Sequence, residues 1–402
     1  MNEYYDKNTQ VMSVIKIELY PTIEQFNLIN LYIQANDFIY NKIIDLEELV
    51  YKEYLQGLRE DGFLGRFKIQ PYISELKRNI DWLNNIPLHI CRGGGFRAVN
   101  AYCKFFKGCA NKPVYKTNYN KSRSYSVRAD RLHFINCNYI KTEGIKEPIK
   151  CQTYNFNFNI KIYDPIIKID SCNRVWLSFS HVINKTKLQI PASEPIGIDL
   201  GFRLDNSNTI VCSNGMIFSQ PDTKILEYNL QKLNEICTKD NLRIKEIANE
   251  LGVNFHDVEM SKNMMKRRMK LNSTYAKIHN IKNTFYDQTV AYLVSLNPEY
   301  IVVEDISINQ LQQNNPFVDF GHFSAHTFVR KLEIKCNQYY IPFIKVDNKD
   351  YPSSQICSNC KSMYPINRCT DNYKCPTCGI IINRDINAAI NLKNYPKEYL
   401  NM

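Results

Sequence analysis

The first half of the chain opens with a strand-like pattern of hydrophobic and polar residues and continues with helical ones. Residues 12–19 alternate with a period of two, which predicts a strand, and Thr22 is placed to cap a following helix. Helical spacing then predicts helices over 23–57 and 71–108, the second interrupted at Gly93-Gly94-Gly95. This half therefore begins as a strand followed by a helical region.

The pattern changes again at about residue 114 and indicates two further folding regions. Short alternating runs over 114–190 predict a small antiparallel barrel, with the helical region inserted after its first strand. The prolines of 191–195 are typical of a linker. Beyond it the predicted order is hairpin, long helix, strand, helix, strand and final helix, over 196–218, 223–296, 300–304, 324–339, 341–346 and from 385. This order is expected of an RNase H-like α/β domain.

Three carboxylates stand at the ends of apolar runs in this second half. Asp199 lies in Gly-Ile-Asp-Leu-Gly, Glu304 follows Ile-Val-Val, and Asp385 lies where the final helix is predicted to begin. Each alone could be a strand-end or helix-cap residue, but three converging acids can hold Mg²⁺ for phosphodiester hydrolysis. Asp305 is expected to point away from Glu304, and Asp347, at another strand end, is treated like Asp305 as a decoy.

Four cysteines near the C-terminus have zinc-ribbon spacing. Cys357-x2-Cys360 and Cys375-x2-Cys378 are separated by fourteen residues, and Asp385 follows the last cysteine by seven. This spacing predicts a closed, tetrahedral structural zinc site that holds the segment before Asp385. The alternatives are four free thiols, or a site in which Cys369 replaces one ligand.

Composition and charge narrow the classes of partner. The chain has 402 residues, a formal net charge of +11 and 14 cysteines, of which ten are scattered without a disulfide framework. A reducing, intracellular and cytoplasmic compartment is expected, with nucleoid association if the source is prokaryotic. An excess of basic residues favours a polyanionic partner. Nucleic acid is a better candidate for this partner than a membrane, because no apolar run approaches the roughly 20 residues needed to span a bilayer.

Two segments concentrate basic residues without acids. Each of 104–128 and 262–282 has seven basic residues, and aromatic residues, including Tyr119, are interleaved in the first. Charge runs are often simply solvated, but interleaved aromatics favour stacking on unpaired bases. The candidate nucleic-acid contacts are Lys77, Arg78, Lys104, Lys107, Tyr115, Lys116, Tyr125, Lys266, Arg267 and Arg268.

These motifs resemble TnpB, the RNA-guided DNA endonuclease family of insertion sequences, with its relatives the miniature type V CRISPR effectors and Fanzor proteins. Similar segments are the Ile-Glu-Leu-Tyr-Pro-Thr opening with Asn41, the Ala-Tyr and Phe-Phe region with Pro113, and the Tyr-Pro-Ser-Ser-Gln entry to the ribbon. Asp199, Glu304 and Asp385 match the three RuvC acids. The sequence departs from the family at Lys361, where a Gly is common, and at Asp371-Asn372, where an Arg is common; Arg368 is a shifted substitute.

The resemblance implies an RNA-guided, Mg²⁺-dependent double-stranded DNA endonuclease of a transposable element. It implies two Mg²⁺ ions, one structural Zn²⁺, a guide RNA from the protein's own locus, and target DNA cut beside a short flanking motif. The alternatives are a miniature type V CRISPR effector, a nuclease-inactive RNA-guided repressor that would lack RuvC acids, and, less favoured, a transposase proper.

The expected fold class is multidomain α/β with four parts. They are a wedge-like β-barrel (1–22 and 111–190), a helical recognition insertion (23–110), a RuvC-like nuclease domain (191–350 and 380–402) and an inserted zinc ribbon (351–379).

Overall fold

The computed structural model describes most of the chain. The described residues are 6–116, 123–152, 160–201, 209–253, 255, 258–305, 325–347, 350–365 and 371–399. The helices are α1 Ile23–Leu55, α2 Arg66–Asn79, α3 Leu88–Phe106, α4 Lys224–Leu251, α5 Lys262–Ser295, α6 Ala325–Gln338 and α7 Arg384–Tyr399. Short 3-10 turns lie at Asp81–Leu83 and Ala129–Arg131.

Fourteen strands are named among the described residues. They are β1 Gln10–Tyr20, β2 Arg123–Ser126, β3 His133–Asn136, β4 Tyr139–Thr142, β5 Ile145–Cys151, β6 Tyr163–Ile169, β7 Val175–Asn184, β8 Ile196–Gly201, β9 Thr209–Cys212, β10 Ile217–Ser219, β11 Ile301–Asp305, β12 Phe343–Asp347, β13 Asn372–Lys374 and β14 Ile381–Asn383. The predicted order of helices and strands after the linker is present, except that the single long helix expected over 223–296 is wrong, because this stretch forms two helices, α4 and α5.

The chain divides into two compact units, each built from separate segments. Unit 1 comprises Met1–Val11, Ile183–Gln231 and Thr274–Met402, and unit 2 comprises Met12–Val182 and Lys232–Ser273. Helices α4 and α5 therefore each have residues in both units. Among the described residues, no helix combines the length and apolar character needed to cross a membrane. The four-part domain assignment made from the sequence stays a prediction.

Unit 2 packs α1, α2 and α3 against a seven-stranded sheet of order β2-β6-β7-β1-β5-β4-β3. Thr22 caps α1 as predicted: its Oγ1 accepts a hydrogen bond from the Gln25 N–H at 3.2 Å, and Gln25 Oε1 accepts from the Thr22 N–H at 3.0 Å. This capping box satisfies N–H groups that have no partner within the helix. The helix therefore begins where the sequence indicated.

The predicted interruption at Gly93-Gly94-Gly95 is wrong, because α3 runs through all three glycines. A Cβ on Gly94 would collide with the backbone carbonyl of Asn36 in α1, with the Asn36 Cα 3.2 Å away. The glycines thus serve close packing of α1 against α3, which outweighs their poor helix propensity of about 1 kcal/mol relative to alanine.

Unit 1 contains a five-stranded mixed sheet of order β10-β9-β8-β11-β12. Strands β10, β9 and β8 pair antiparallel, while β8, β11 and β12 pair parallel. One face of the sheet, including Ile198 and Val303, packs on Phe328 of α6 and on the part of α5 in this unit. The other face, including Val302 and Val346, packs on Leu392 of α7. The central strands are thus covered on both faces, as their apolar runs predict.

Candidate metal centre and associated cysteine cluster

The sheet of unit 1 places two of the predicted acids side by side. In the parallel register of β11 with β8, Val302 pairs with Gly197 and Val303 with Ile198, so Glu304 follows on beside Asp199. Strand side chains alternate between faces, so both acids lie on the α7 face at the carboxyl ends of their strands. Both are 8% exposed. Asp305, the next residue, is exposed at the end of β11.

Helix α7 brings the third acid to the same face of the sheet. A Cβ on Gly197 would collide with the Ala389 carbonyl and would lie 3.0 Å from the Lys393 Cα, so the helix backbone rests directly on β8. Glycine permits this contact because it has no Cβ. Asp385, in the first turn of α7, is 4% exposed. All three predicted acids are therefore buried on one face of unit 1.

The start of α7 corrects the predicted cap. Asn383 Oδ1 accepts hydrogen bonds from the Asp385 N–H at 3.0 Å and the Ile386 N–H at 3.1 Å. Asn383 is therefore the capping residue, which leaves the Asp385 carboxylate available for other contacts. One of these is an ion pair, in which Arg384 Nε lies 3.2 Å from Asp385 Oδ1. Asn383 was not predicted as the cap from the sequence, although an asparagine just ahead of a helical run is a recognised cap signal.

The pKa values of Asp199 and Glu304 reflect burial and the charges of nearby acids. Burial raises the pKa of Asp199 well above its usual range, the charges of Glu304 and Asp385 raise it further, and Arg384 lowers it. Burial raises the pKa of Glu304 to about 7, with the charge of Asp347 acting in the same direction. Asp347 is exposed at the end of β12, yet it contributes to the electrostatics of this cluster.

Divalent cations fit this donor set. Buried carboxylates that repel one another are costly to ionise, and a hard cation with oxygen preference removes that cost. Asp199, Glu304 and Asp385 supply only oxygen ligands from three separate elements, as Mg²⁺ sites with several retained waters require. The chemistry of the three side chains therefore suits a hard divalent cation such as Mg²⁺.

The four predicted zinc ligands also come together in unit 1. Cys357, Cys360, Cys375 and Cys378 have sulfur atoms all within 4.8 Å of one another. Cys357 and Cys378 are 3.6 Å apart at their sulfurs, and Cys360 and Cys375 are 3.5 Å apart. Four thiolates at about 2.3 Å from one tetrahedral zinc would be about 3.8 Å apart, so the cluster can hold this ion.

The two cysteine pairs form matching turns. The Lys361 N–H donates to the Cys357 carbonyl at 2.9 Å, and the Gly379 N–H donates to the Cys375 carbonyl at 3.0 Å. Lys361 has φ +63° and Gly379 φ +74°, so each turn needs a left-handed residue after its second cysteine. This explains why a glycine is common at the position of Lys361 in the resembling family. Ser362 hydrogen bonds lower the pKa of Cys360 to about 6, which favours the thiolate.

The predicted nucleic-acid contacts all lie in unit 2. Arg78, Lys104, Lys107, Tyr115 and Lys266 are exposed, and their role as nucleic-acid contacts stays a prediction.

Tyr125 is 1% exposed, and its ring packs edge-on against Tyr32 with centroids 5.6 Å apart. The prediction that Tyr125 stacks on a bound base is wrong, because β2 turns this side chain into the core. Tyr115 is 52% exposed and donates its hydroxyl to Asp45 Oδ1 at 2.8 Å.

Several predicted basic contacts have intramolecular partners. Lys77 Nζ donates to the Leu83 carbonyl at 2.9 Å. Arg267 donates from Nε and from a terminal nitrogen to both oxygens of Asp240, at 2.8 and 2.7 Å.

Arg268 donates to Asn241 Oδ1, and the Lys116 Nζ lies 5.2 Å from the Tyr40 ring centroid. Asn41, from the resembling motif, exchanges hydrogen bonds with the Lys116 backbone at 2.7 and 2.8 Å. Arg368, Cys369 and Tyr119 lie outside the described residues.

Comparisons with known proteins agree with this picture. Residues 326–392 match the family "Cas12f1-like, TNB domain". The chain is 30% identical over 136 residues to a Streptomyces pristinaespiralis protein named "Putative RNA-guided DNA endonuclease", and the match spans 33% of each chain. The chain thus spans about a third of the length of this curated relative.

A solved structure shares the fold. The protein in the cryo-EM structure of a Cas12f1-sgRNA-target DNA complex has a TM-score of 0.52 at 12% identity, and the match covers 96% of this chain and 99% of that one. These matches confirm the resemblance to miniature RNA-guided nucleases that the sequence motifs indicated, and the fold is multidomain α/β, as predicted.

Proposed function

We propose that this protein is an RNA-guided, Mg²⁺-dependent endonuclease that cuts double-stranded DNA. The observation that carries the proposal is the set of three buried carboxyl groups, Asp199, Glu304 and Asp385, gathered on one sheet face by β8, β11 and α7. A buried cluster of acids with raised pKa values is typical of a functional site. The relative from Streptomyces supports RNA-guided DNA cleavage as that function.

The fold of unit 1 is proposed to be RNase H-like, of the RuvC type. Supporting this, β8 is the central strand of the sheet. The antiparallel strands β9 and β10, which follow β8 in the chain, lie on one side of it, and the parallel strands β11 and β12 lie on the other. In this arrangement Asp199 and Glu304 would hold the cations from adjacent strands, and Asp385 would do so from the start of α7. Mg²⁺, when bound, supplies an activated water and a counter-charge for the leaving oxygen. Arg384, paired with Asp385, limits the repulsion among the acids.

Unit 2 is proposed to contain the wedge-like β-barrel and the helical recognition region. Pairing between a guide RNA and one DNA strand would read sequence, while the protein reads a short flanking motif and the backbone. The net charge of +11 supports contact with both nucleic acids. The exposed Lys104 and Lys107 at the end of α3 are proposed backbone contacts.

A miniature CRISPR effector is the second candidate, and the Cas12f1-like match over 326–392 favours it specifically. A transposable element and a CRISPR locus would supply different guides, so sequencing of copurified RNA separates the two. A nuclease-inactive repressor is disfavoured, because all three acids are present and buried together.

The proposal is tested by reconstituting the protein with guide RNA transcribed from its own locus and a plasmid target. Asp199→Ala, Glu304→Ala and Asp385→Ala should each abolish Mg²⁺-dependent cleavage and leave RNA binding intact, because each removes a cation ligand. Asp305→Asn, an exposed neighbour, is the matched control and should cut normally.

Near-normal cleavage by any one alanine variant would refute that residue's role. Cleavage without any RNA would refute RNA guidance and would indicate an unguided nuclease.

A further inference from the structure

Two asparagines in the first half of α7 are fully buried. Asn387 and Asn391 lie one helical turn apart, on either side of the buried Ala388 and Ala389. A buried amide without partners costs free energy, so such residues normally make specific hydrogen bonds. The bonds made by these two asparagines all reach the segment that enters the cysteine cluster.

Asn387 holds both neighbours of Cys357. Its Nδ2 donates to the Ile356 carbonyl at 2.7 Å, and its Oδ1 accepts from the Ser358 N–H at 2.8 Å. The side chain thus pairs with the backbone much as an adjacent strand would. Because the donor meets a carbonyl and the acceptor meets an N–H, the orientation of the amide is fixed.

Asn391 extends this attachment by one turn. Its Nδ2 donates to the Ser353 carbonyl at 2.9 Å and to the Ile356 carbonyl at 2.6 Å. Tyr351 adds a hydrogen bond from its hydroxyl to the Asn391 carbonyl at 3.3 Å. The helix is therefore tied to the segment from Tyr351 to Ser358 at several points.

The same helix carries Asp385 two residues before Asn387. A tetrahedral zinc would fix the position of Cys357, and the Asn387 hydrogen bonds would transfer that position to the first turn of α7. The chain from Cys378 to Asp385 supplies a second connection, which passes through β14 and the Asn383 cap.

We infer that Asn387, supported by Asn391, is a positioning residue that couples the cysteine cluster to the Asp385 carboxylate. This inference rests on the proposed nuclease function for its activity readout, but the coupling itself is a property of unit 1. The packing of α7 on Gly197 does not depend on these amides, so their loss should shift the start of the helix without detaching it.

The test compares Asn387→Ala and Asn391→Ala with a control variant, Asn394→Ala. Asn394 lies on the same helix but is not fully buried. Asn387→Ala should keep one zinc per chain and normal RNA and target binding. Its cleavage rate at saturating target should fall about 10- to 100-fold, as for other groups that orient metal ligands, with an unchanged KM for target and a higher Mg²⁺ requirement. Asn391→Ala should have a smaller effect, since it is farther from Asp385.

Hydrogen exchange provides a readout independent of activity. In the wild type, removing zinc with a chelator should speed exchange of the amides in the first turn of α7. In Asn387→Ala these amides should exchange fast even with zinc bound, and zinc removal should add little. Asn394→Ala should behave as the wild type.

The inference is overturned if Asn387→Ala retains wild-type cleavage and wild-type exchange in α7. It is also overturned if both alanine variants lose zinc, target binding and cleavage in parallel, because that pattern means general destabilisation. If the wild type does not cleave DNA at all, the proposed function fails, and the exchange experiment alone still decides whether zinc and α7 are coupled.

Discussion

Glu304→Gln should make unit 1 more stable at high pH and leave it unchanged at low pH. Burial raises the pKa of Glu304 from 4.5 to about 7, so between these values the folded state binds more protons than the unfolded state. The free energy of unfolding therefore falls as the pH rises through this window. For a pKa shift of this size, the free energy of unfolding falls by about 3 kcal/mol in total, and this loss is complete above pH 7 and absent below pH 4.5.

Replacing the acid by its neutral amide removes this loss. In EDTA, the free energy of unfolding of Glu304→Gln relative to the wild type should therefore rise by about 3 kcal/mol between pH 4 and pH 8. Any fixed cost of burying the amide cancels in the comparison between the two pH values. Mg²⁺ at pH 8 should stabilise the wild type more than the variant, because a ligand that binds only the folded state shifts the equilibrium toward it.

Hydrogen exchange of the β8 and β11 amides, corrected for the intrinsic pH dependence of exchange, is the suitable assay. The chain has two tryptophans, Trp82 and Trp176, and both lie in unit 2, so their fluorescence does not follow unit 1. Asp305→Asn, at the exposed residue next to Glu304, provides the matched control. An equal difference between variant and wild type at pH 4 and pH 8 would refute the electrostatic reasoning.

Three further outcomes are expected. Lys361→Gly should stabilise the zinc-loaded protein by about 1 kcal/mol, because glycine adopts the left-handed backbone at this turn without strain, and Gly379→Ala should destabilise it by a similar amount. Equal resistance of the two variants to zinc removal by a chelator would contradict this expectation. Gly197→Ala should cost about 1–3 kcal/mol and impair cleavage, because the methyl group meets the Ala389 carbonyl; unchanged thermal unfolding and activity would exclude the contact. Cys375→Ser should lose zinc and cleavage together, whereas elemental analysis of the wild type should find about one zinc per chain; a folded wild type without zinc would refute the site.

The sequence was sufficient to predict features that depend on local pattern. The burial of Asp199 and Glu304 at neighbouring strands could be predicted because each acid ends an apolar run, and the cysteine spacing identified the cysteine cluster. The Thr22 cap is likewise determined by residues three positions apart. Each of these inferences needs only neighbours along the chain.

Features that depend on distant partners could not be predicted. The Gly93-Gly94-Gly95 run has the composition of a break, and only the approach of Asn36 explains why it is helical. Tyr125 has the spacing of an exposed aromatic residue, but the pairing of β2 with β6 turns it inward. Arg267 belongs to a basic run, and its pairing with Asp240 in α4 is invisible without the fold.

The polar residues of α7 illustrate the same limit. Asn387 and Asn391, four residues apart beside two alanines, would suit a solvent-facing stripe, yet both are fully buried. Their partners are backbone groups about 30 to 40 residues earlier, which no periodicity reveals.

The dependence of the acid cluster on α7 also sets an order in time during synthesis. The strand that carries Asp199 contacts a helix whose acid is made 186 residues later. At the usual 5–20 residues per second, a ribosome needs about 10 to 40 s to cover that interval. Throughout this period the nascent chain has no complete acid cluster, although most of unit 2 has already been made. The acid cluster can therefore form only after the start of α7 has been synthesised.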